Sequence, residues 1–306
     1  MQVSIISPVY QAELLVEKLV DELSKVLDGY TYEILLVDDG SADNSWDKVR
    51  ELADKTPGDR VKGVKLSRNF GQHYAVTAGI ELAKGDNIIV IDCDLQDSPN
   101  SVIEVLEKAK EGFDVVFTKR EKRNHGFMKS VLSWLYNRLF GLIAGGDYSI
   151  DFNSLVLMNR KAAQAYLRLR DQDRLYIQLL KWIGFKTTVI TVPHRRRDVG
   201  KSTYSLTKLF SIAIQAWTFH SDRLLKFSIY GGFFLSGASF LSSLVIIVLY
   251  FVQGFKPGWP SLFLVILFST GLILLSIGIT GVYINKIFTQ VKNRPLFIVE
   301  ETTYTE

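Results

Sequence analysis

The chain has 306 residues, 47% of them hydrophobic and 22% charged, with a formal net charge of +4; that length accommodates one large α/β domain and a smaller part. A single cysteine, Cys93, rules out an internal disulfide framework, and the four histidines (His73, His125, His194, His220) lack zinc-ligand spacing. The modest charge matters less than its distribution: basic residues gather locally, at 119–138 and 195–208, and read as a face for anions at a membrane surface, and the long apolar runs near the C-terminus weigh against a nucleic-acid partner.

The opening MQVSIISPVY has no basic start and leads directly into a strand pattern, so no cleavable signal is expected. Apolar strands then alternate with helical patterns. VSIISPVY precedes a helix from about Ala12, YEILLVDD one from about Asn44, and VKGVKLS leads into GQHYAVTAGIELAKG. DNIIVIDCD precedes a helix opening near Pro99, and FDVVFTK follows. This rhythm predicts a parallel α/β sheet. Ligands bind such sheets beyond the carboxyl ends of the strands, which is where the polar segments 8–13, 38–41, 67–71 and 92–97 fall. Four strand ends are therefore expected to face one site.

Past Thr118 the pattern changes, and GFMKSVLSWLYNRLFGLIAGG predicts an amphipathic helix over about 127–145, suited to lying on a bilayer or on the sheet. Mixed α/β structure returns with IDFNSLVLMNRKAAQAYL (strand, then helix), RLYIQLLKWIGF (helix) and KTTVITVPHR (strand). Residues 205–226 read as a juxtamembrane amphipathic segment. Two charge-free runs follow, at about 227–252 and 262–284. Each exceeds the roughly 20 residues that span hydrocarbon, so two transmembrane helices are expected within 227–288.

Small residues in these runs, among them Gly231, Gly237, Gly271 and Gly278, suit close helix packing and a homo-oligomer. Lys208, Arg223 and Lys226 precede the first run and Lys286, Lys292 and Arg294 follow the second, whereas the connecting loop carries only Lys256. By the positive-inside rule the large N-terminal domain and a tail at 289–306 are expected in the cytoplasm, on a multi-pass protein of the cell (inner) membrane.

The stretch IVIDCDLQDSP packs three aspartates against the end of a buried strand. Asp92 and Asp94 flank one residue and can reach one divalent cation; hard oxygen ligands suit Mg2+ or Mn2+, which would bridge nucleotide phosphates. Asp97, just before Ser98 and Pro99, also fits a helix cap. The chain has no Walker-type phosphate loop, and no G-x-G-x-x-G follows its first strand. A metal must then take over phosphate neutralisation, as in transfer of a group away from a diphosphate.

Taken in order, SPVYQAE, LLVDDGSADNS, KLSRNFGQHYAVTAGI, VIDCDLQDSP and RRRDVGKSTYSLTKL resemble the polyprenyl-phosphate glycosyltransferases of glycosyltransferase family two. That group includes dolichyl-phosphate mannose synthases and bacterial undecaprenyl-phosphate glucosyl- and aminoarabinosyl-transferases. The resemblance runs from Val3 to the C-terminal helices. It implies a GT-A (Rossmann-like) domain over 1–204, a nucleotide-sugar donor, and inverting transfer onto polyprenyl (undecaprenyl) phosphate. The bacterial-looking two-span arrangement favours a uridine over a guanosine donor by analogy.

Carried over by position, Pro8, Tyr10, Glu13 and Asp38 line the nucleoside pocket, and Ser67 and Asn69 lie near the base or ribose. Asp92, Asp94 and Gln96 match the metal and diphosphate segment, and Arg120 and Arg123 match phosphate contacts. Arg197, Gly200, Ser202 and Tyr204 match a loop that closes over donor and acceptor phosphates, with Thr203 where lysine is usual. Asp151 matches an acidic residue placed to act as base or to position the attacking group, but Asn153 replaces the arginine that usually follows. A phosphate monoester, with a second pKa of about 6, is already mostly ionised near neutral pH. Asp151 is therefore expected to act through orientation and electrostatics. Cys93, where a small residue is usual, is read as packing.

Two other readings stay open. QLLKW, at 178–182, approaches an acceptor motif of processive polysaccharide synthases, although two spans are few for a polymer channel. A non-catalytic membrane scaffold or lipid carrier could be built on the same fold. The intact Asp-x-Asp and basic loop weigh against it.

Overall fold

QVSIISPV and TYEILLVD carry apolar residues at both odd and even positions, as strands covered on two sides must. A computed structural model of the protein makes them the middle of an eight-stranded sheet. It describes residues 2–56, 58, 60–120, 152–172, 174–193, parts of 229–252, and 258–304. The elements are β1 (Gln2–Val9), α1 (Glu13–Val26), β2 (Thr31–Asp38), α2 (Ser45–Lys55), β3 (Val61–Leu66), α3 (Gln72–Leu82), β4 (Asn87–Val90), α4 (Asn100–Lys110) and β5 (Val115–Arg120). They continue with β6 (Phe152–Asn159), α5 (Arg160–Arg168), α6 (Tyr176–Trp182), β7 (Thr187–Val192), α7 (Trp259–Val291) and β8 (Val299–Thr302).

The strand order is β7-β5-β6-β4-β1-β2-β3-β8. Strands β4, β1, β2 and β3 are parallel, as the rhythm predicts. The antiparallel strands come from outside the first 120 residues: β6 lies between β4 and β5, antiparallel to both, and β8 is antiparallel on β3. Hydrophobic periodicity reports how a strand is buried, and carries no information on which strand it pairs with or in which direction.

Side chains alternate across the sheet and build two cores. Ile5, Ile34 and Leu36 cluster with α1, α2 and α4, where Val16, Leu19, Val20 and Leu23 form the apolar stripe of α1. Ile6, Leu35 and Val37 cluster on the other face with α3, α5 and α6. Helix α3 lies close against β1, since a Cβ on Gly79 would come 2.3 Å from Cγ2 of Ile6.

At the amino ends of the strands the buried Glu33 carboxylate accepts from Ser4 Oγ (2.6 Å), Lys62 Nζ (2.7 Å) and the Lys84 N–H (2.6 Å). Burial pushes this carboxyl up, and the three donors outweigh it, so that it lies below the ordinary glutamate range. The network ties β1, β2, β3 and the approach to β4 together at the end remote from the predicted site.

The chain divides into two units, one of Met1–Asn124, Ser149–Ser202 and Arg294–Glu306, the other of His125–Tyr148 and Thr203–Asn293. The sequence reading places 289–306 in a tail of its own, yet β8 completes the sheet of the first unit. Ser67 N–H donates to Ile298 O (2.9 Å), Thr303 N–H to Gly63 O (3.1 Å), and Arg50 pairs with Glu301 (2.7 Å). VEET has no apolar alternation and its partner strand lies far away in sequence, so nothing local announces the pairing.

In the second unit α7 runs for 33 residues, past the expected end near Ile284. Over Phe268–Val291 it is long and apolar enough to cross a membrane, with exposed side chains such as Leu274 and Ile284, and it is the one such helix among the described residues. The first expected span is described only in part, and those residues are helical. The segments at 127–145 and 205–226 lie outside the described residues.

Candidate active site

The carboxyl ends of the four parallel strands are joined to one another by hydrogen bonds. Between β1 and β2, Gln11 N–H donates to Ser41 Oγ (3.1 Å) and Ala12 N–H to Ser45 Oγ (2.9 Å). Gln11 adopts φ +49°, a left-handed conformation unusual for a residue with a side chain. Pro8 sits near the end of β1, Tyr10 is exposed, and Glu13 in the first turn of α1 accepts from Asn44 Nδ2 at 3.3 Å. Asp38, the last residue of β2, is fully buried. Its Oδ2 accepts from Ser41 N–H at 3.2 Å, and its Oδ1 has no partner among the described residues. Burial pushes this carboxyl up.

Asp39, which the sequence reading passes over, joins β2 to β3. Its two oxygens accept from the backbone N–H groups of Phe70 (2.7 Å) and Gly71 (2.8 Å). Beside it Gly40 has φ +65°, and a Cβ there would lie 2.5 Å from C of Arg68 and 2.6 Å from N of Asn69. Only glycine lets the two loops meet backbone to backbone. Ser67 and Asn69 are exposed on the β3 loop so held.

Residues 92–97 follow β4. Asp92, Asp94 and Gln96 are partly exposed while Cys93, Leu95 and Asp97 are buried, so the three predicted ligands share the accessible side of the turn. Leu95 makes the turn with φ +57° while its side chain stays in the core. A left-handed leucine costs about 1–2 kcal/mol and points to a functional constraint.

Asp92 is held on both oxygens: Gln72 Nε2 donates to Oδ1 (2.6 Å) and Ser154 Oγ to Oδ2 (2.5 Å). Gln96 N–H donates to Asp94 Oδ1 (3.1 Å). Asp97 Oδ1 accepts from the buried Asn153 Nδ2 at 2.9 Å, and Pro99 stands at the N-cap of α4. The inserted β6 explains the two contacts: Val90 pairs with Val156, and continuing this antiparallel register sets Asp92 opposite Ser154.

Burial, with Asp94 and Asp97 adding like charge, pushes the Asp92 carboxyl up to about 6 against the donors Ser154 and Gln72. Such crowding of carboxylates favours a cation. No cluster of three His, Cys, Asp or Glu side chains stands ready for a metal among the described residues. Two carboxylates and an amide are hard oxygen donors of the kind that suits Mg2+ or Mn2+. Burial and the flanking aspartates push the Cys93 thiol up to about 12, so it stays protonated and serves as packing. His73, also absent from the sequence reading of the site, packs against Tyr176 with ring centroids 5.6 Å apart, and burial pushes it down to about 4, leaving it neutral.

Of the predicted site residues, Pro8 and Asp38 on strand ends, Glu13 in the first turn of α1, and Tyr10, Ser67, Asn69, Asp92, Asp94 and Gln96 on loops thus lie at this end of the sheet. Arg120 ends β5, described in its backbone alone, and Arg123, Asp151, Arg197, Ser202 and Tyr204 lie outside the described residues. The structure adds Asp39, Gln72 and Ser154, and gives Asn153 its contact to Asp97. Gln72 sits inside the quoted GQHYAV stretch, whereas Ser154 carries no local signal, because only the placement of β6 brings it to Asp92.

A family model described as glycosyl transferase family 2 matches residues 4–167, which include all of these loops. The uncharacterized glycosyltransferase YkcC of Bacillus subtilis (strain 168) is 37% identical over 305 residues, 98% of this chain and 94% of that one. The undecaprenyl-phosphate 4-deoxy-4-formamido-L-arabinose transferase of Serratia proteamaculans (strain 568) is 32% identical over 310 residues, 98% of this chain and 93% of that one. Among solved structures, glucosyl-3-phosphoglycerate synthase from Mycobacterium tuberculosis in complex with Mn2+, uridine diphosphate and phosphoglyceric acid is alike in fold. It has a TM-score of 0.50 at 16% identity, covering 70% of this chain and 75% of that one.

Proposed function

The chain belongs to glycosyl transferase family 2, and from that membership we propose that it transfers a sugar from a nucleotide-sugar, of the uridine diphosphate class, to polyprenyl phosphate at the membrane. The observation that carries the reading is the Asp92 turn, where crowded carboxylates and a left-handed Leu95 sit among four linked strand ends. The undecaprenyl phosphate in the name of the Serratia relative supports the acceptor, and the uridine diphosphate and Mn2+ of the mycobacterial structure support donor and metal.

In this reading Pro8, Tyr10, Glu13 and Asp38 hold the nucleoside, with Asp38 Oδ1, which has no partner among the described residues, accepting a donor group of the ligand. Ser67 and Asn69 border it. Asp92, Asp94 and Gln96 would hold Mg2+ or Mn2+, which supplies neutralisation of the departing diphosphate. Gln72 and Ser154 keep Asp92 in one orientation throughout. The lipid phosphate oxygen bonds to the anomeric carbon as the carbon–oxygen bond to the nucleoside diphosphate breaks on the opposite face, inverting that centre. Arg120, Arg123, Arg197, Ser202 and Tyr204 are assigned to the phosphates, and Asp151 to orienting the attacking oxygen.

A membrane arrangement with two spans within 227–288 is part of the proposal. The pairing of β8 with β3 supports it, since two crossings, and not one, would keep Val299–Thr302 on the side of its partner strand. The apolar run at 227–252 supplies the second, and the lysine and arginine bias supports a cytoplasmic sheet with both termini on that side.

The test is a transfer assay on purified protein with undecaprenyl phosphate, Mg2+ or Mn2+, and a panel of radiolabelled UDP- and GDP-sugars. Labelled lipid from one donor, abolished by chelator, is the expected result. No labelled lipid from any donor, with folded protein and accessible lipid, would overturn the reading.

A further inference from the structure

Residues 294–298 lead from the end of α7 into β8, and two contacts tie them to the loop and first turn that follow β3. The first is in the strand ladder, where Ile298 O accepts from Ser67 N–H (2.9 Å). The second is a relay through Gln172. Its side chain donates from Nε2 to Arg294 O (2.7 Å), and its own backbone carbonyl accepts from the Tyr74 hydroxyl. Tyr74 lies two residues beyond Gln72, whose Nε2 holds Asp92 at 2.6 Å. Phe70, Tyr74, Gln172, Arg294, Leu296 and Ile298 line one cavity of about 490 Å³.

We propose that the segment following α7 is a working part of the donor site, and that Gln172 is the positioning residue through which Arg294 sets the first turn of α3 and hence the Gln72 hold on Asp92. The inference rests on the nucleotide-sugar reading above. Asn293, at φ +44°, turns the chain out of the helix while its N–H donates to Gln290 O (3.1 Å), so the relay begins at the next residue, directly where the apolar helix stops. Membrane anchoring and donor binding then share one short stretch of backbone.

The test uses the full chain in lipid nanodiscs and measures displacement of a fluorescent nucleoside diphosphate by UDP and GDP, with the acceptor KM and Tm recorded alongside. Gln172→Glu keeps the size of the side chain and removes the donor to Arg294, and Tyr74→Phe removes the other link. Each is expected to weaken nucleoside diphosphate binding about three- to tenfold, the size of one hydrogen bond. Links in series predict that the double variant is no weaker than the worse single one, with acceptor KM and Tm unchanged. Wild-type binding with unaltered affinity in both variants overturns the relay alone. Losses that add and follow a fall in Tm overturn it as well, by showing a structural role only. Failure of the wild type to bind either nucleotide overturns the donor reading itself.

Discussion

Replacing Gly40 by alanine tests whether the loop after β2 positions the loop after β3. At φ +65° an alanine costs about 1–2 kcal/mol in left-handed backbone alone. Its Cβ would also lie 2.5 Å from C of Arg68, where ordinary contact is 3.4–4 Å, and the atom it meets is backbone that no side-chain rotation can move aside. Such overpacking adds about 1–3 kcal/mol. Gly29, in the turn before β2, supplies the control: its φ is +88° and nothing lies within 4 Å of its Cβ, so Gly29→Ala carries the conformational cost without the collision. The contact term should lower the Tm of Gly40→Ala by roughly 2–12 °C more than that of Gly29→Ala, at about 2–4 °C per kcal/mol. Relief of the overlap moves residues 68 and 69 by about 1 Å, a displacement that costs on the order of a hundredfold in rate at a catalytic site. Thermal unfolding and sugar transfer in nanodiscs measure the two effects. Equal Tm and equal transfer in the two alanine variants would refute the reasoning.

Glu33→Gln should destabilise the sheet unit by about 3–5 kcal/mol at pH 7, because it breaks a buried pair and strands Lys62. The Glu33 carboxyl lies below its ordinary value of 4.5 in the folded protein, so its contribution is complete above that pH and disappears as pH falls through the folded value. Urea unfolding should show the gap to wild type narrowing on acidification; the same gap at pH 7 and pH 4 speaks against the network. Ser154→Ala removes one of two donors to Asp92 and should lower kcat/KM about 10- to 100-fold, the worth of a hydrogen bond to a charged group, with unchanged kinetics as the refuting outcome. Chelation should stop wild-type transfer and added Mn2+ or Mg2+ restore it, while Asp94→Ala should stay inactive at any metal concentration tested; full activity of that variant removes Asp94 from the metal site.

Local sequence carries much of this protein's organisation. The apolar runs of β1 to β4 and the stripe of α1 are set by which residues avoid water, and the four polar segments after the strands follow directly from them. Asp92 and Asp94 are legible because they flank one residue at a strand end, and Gln96 through the family resemblance. The apolar stretch that becomes α7 is legible because composition over some twenty residues suffices.

Other features belong to the tertiary structure. Phe152–Asn159 reads as a strand, but only its insertion between β4 and β5 sets Ser154 against Asp92 and Asn153 against Asp97. Val299–Thr302 joins β3 across more than two hundred residues of sequence and returns the end of the chain to the site. Asp39 acts as a clamp because a loop from another strand brings two backbone N–H groups to it. Burial is a property that each residue's own chemistry favours, so it is written along the chain. Strand partner and register depend on hydrogen bonds between backbones that all look alike, and only the assembled sheet selects among them.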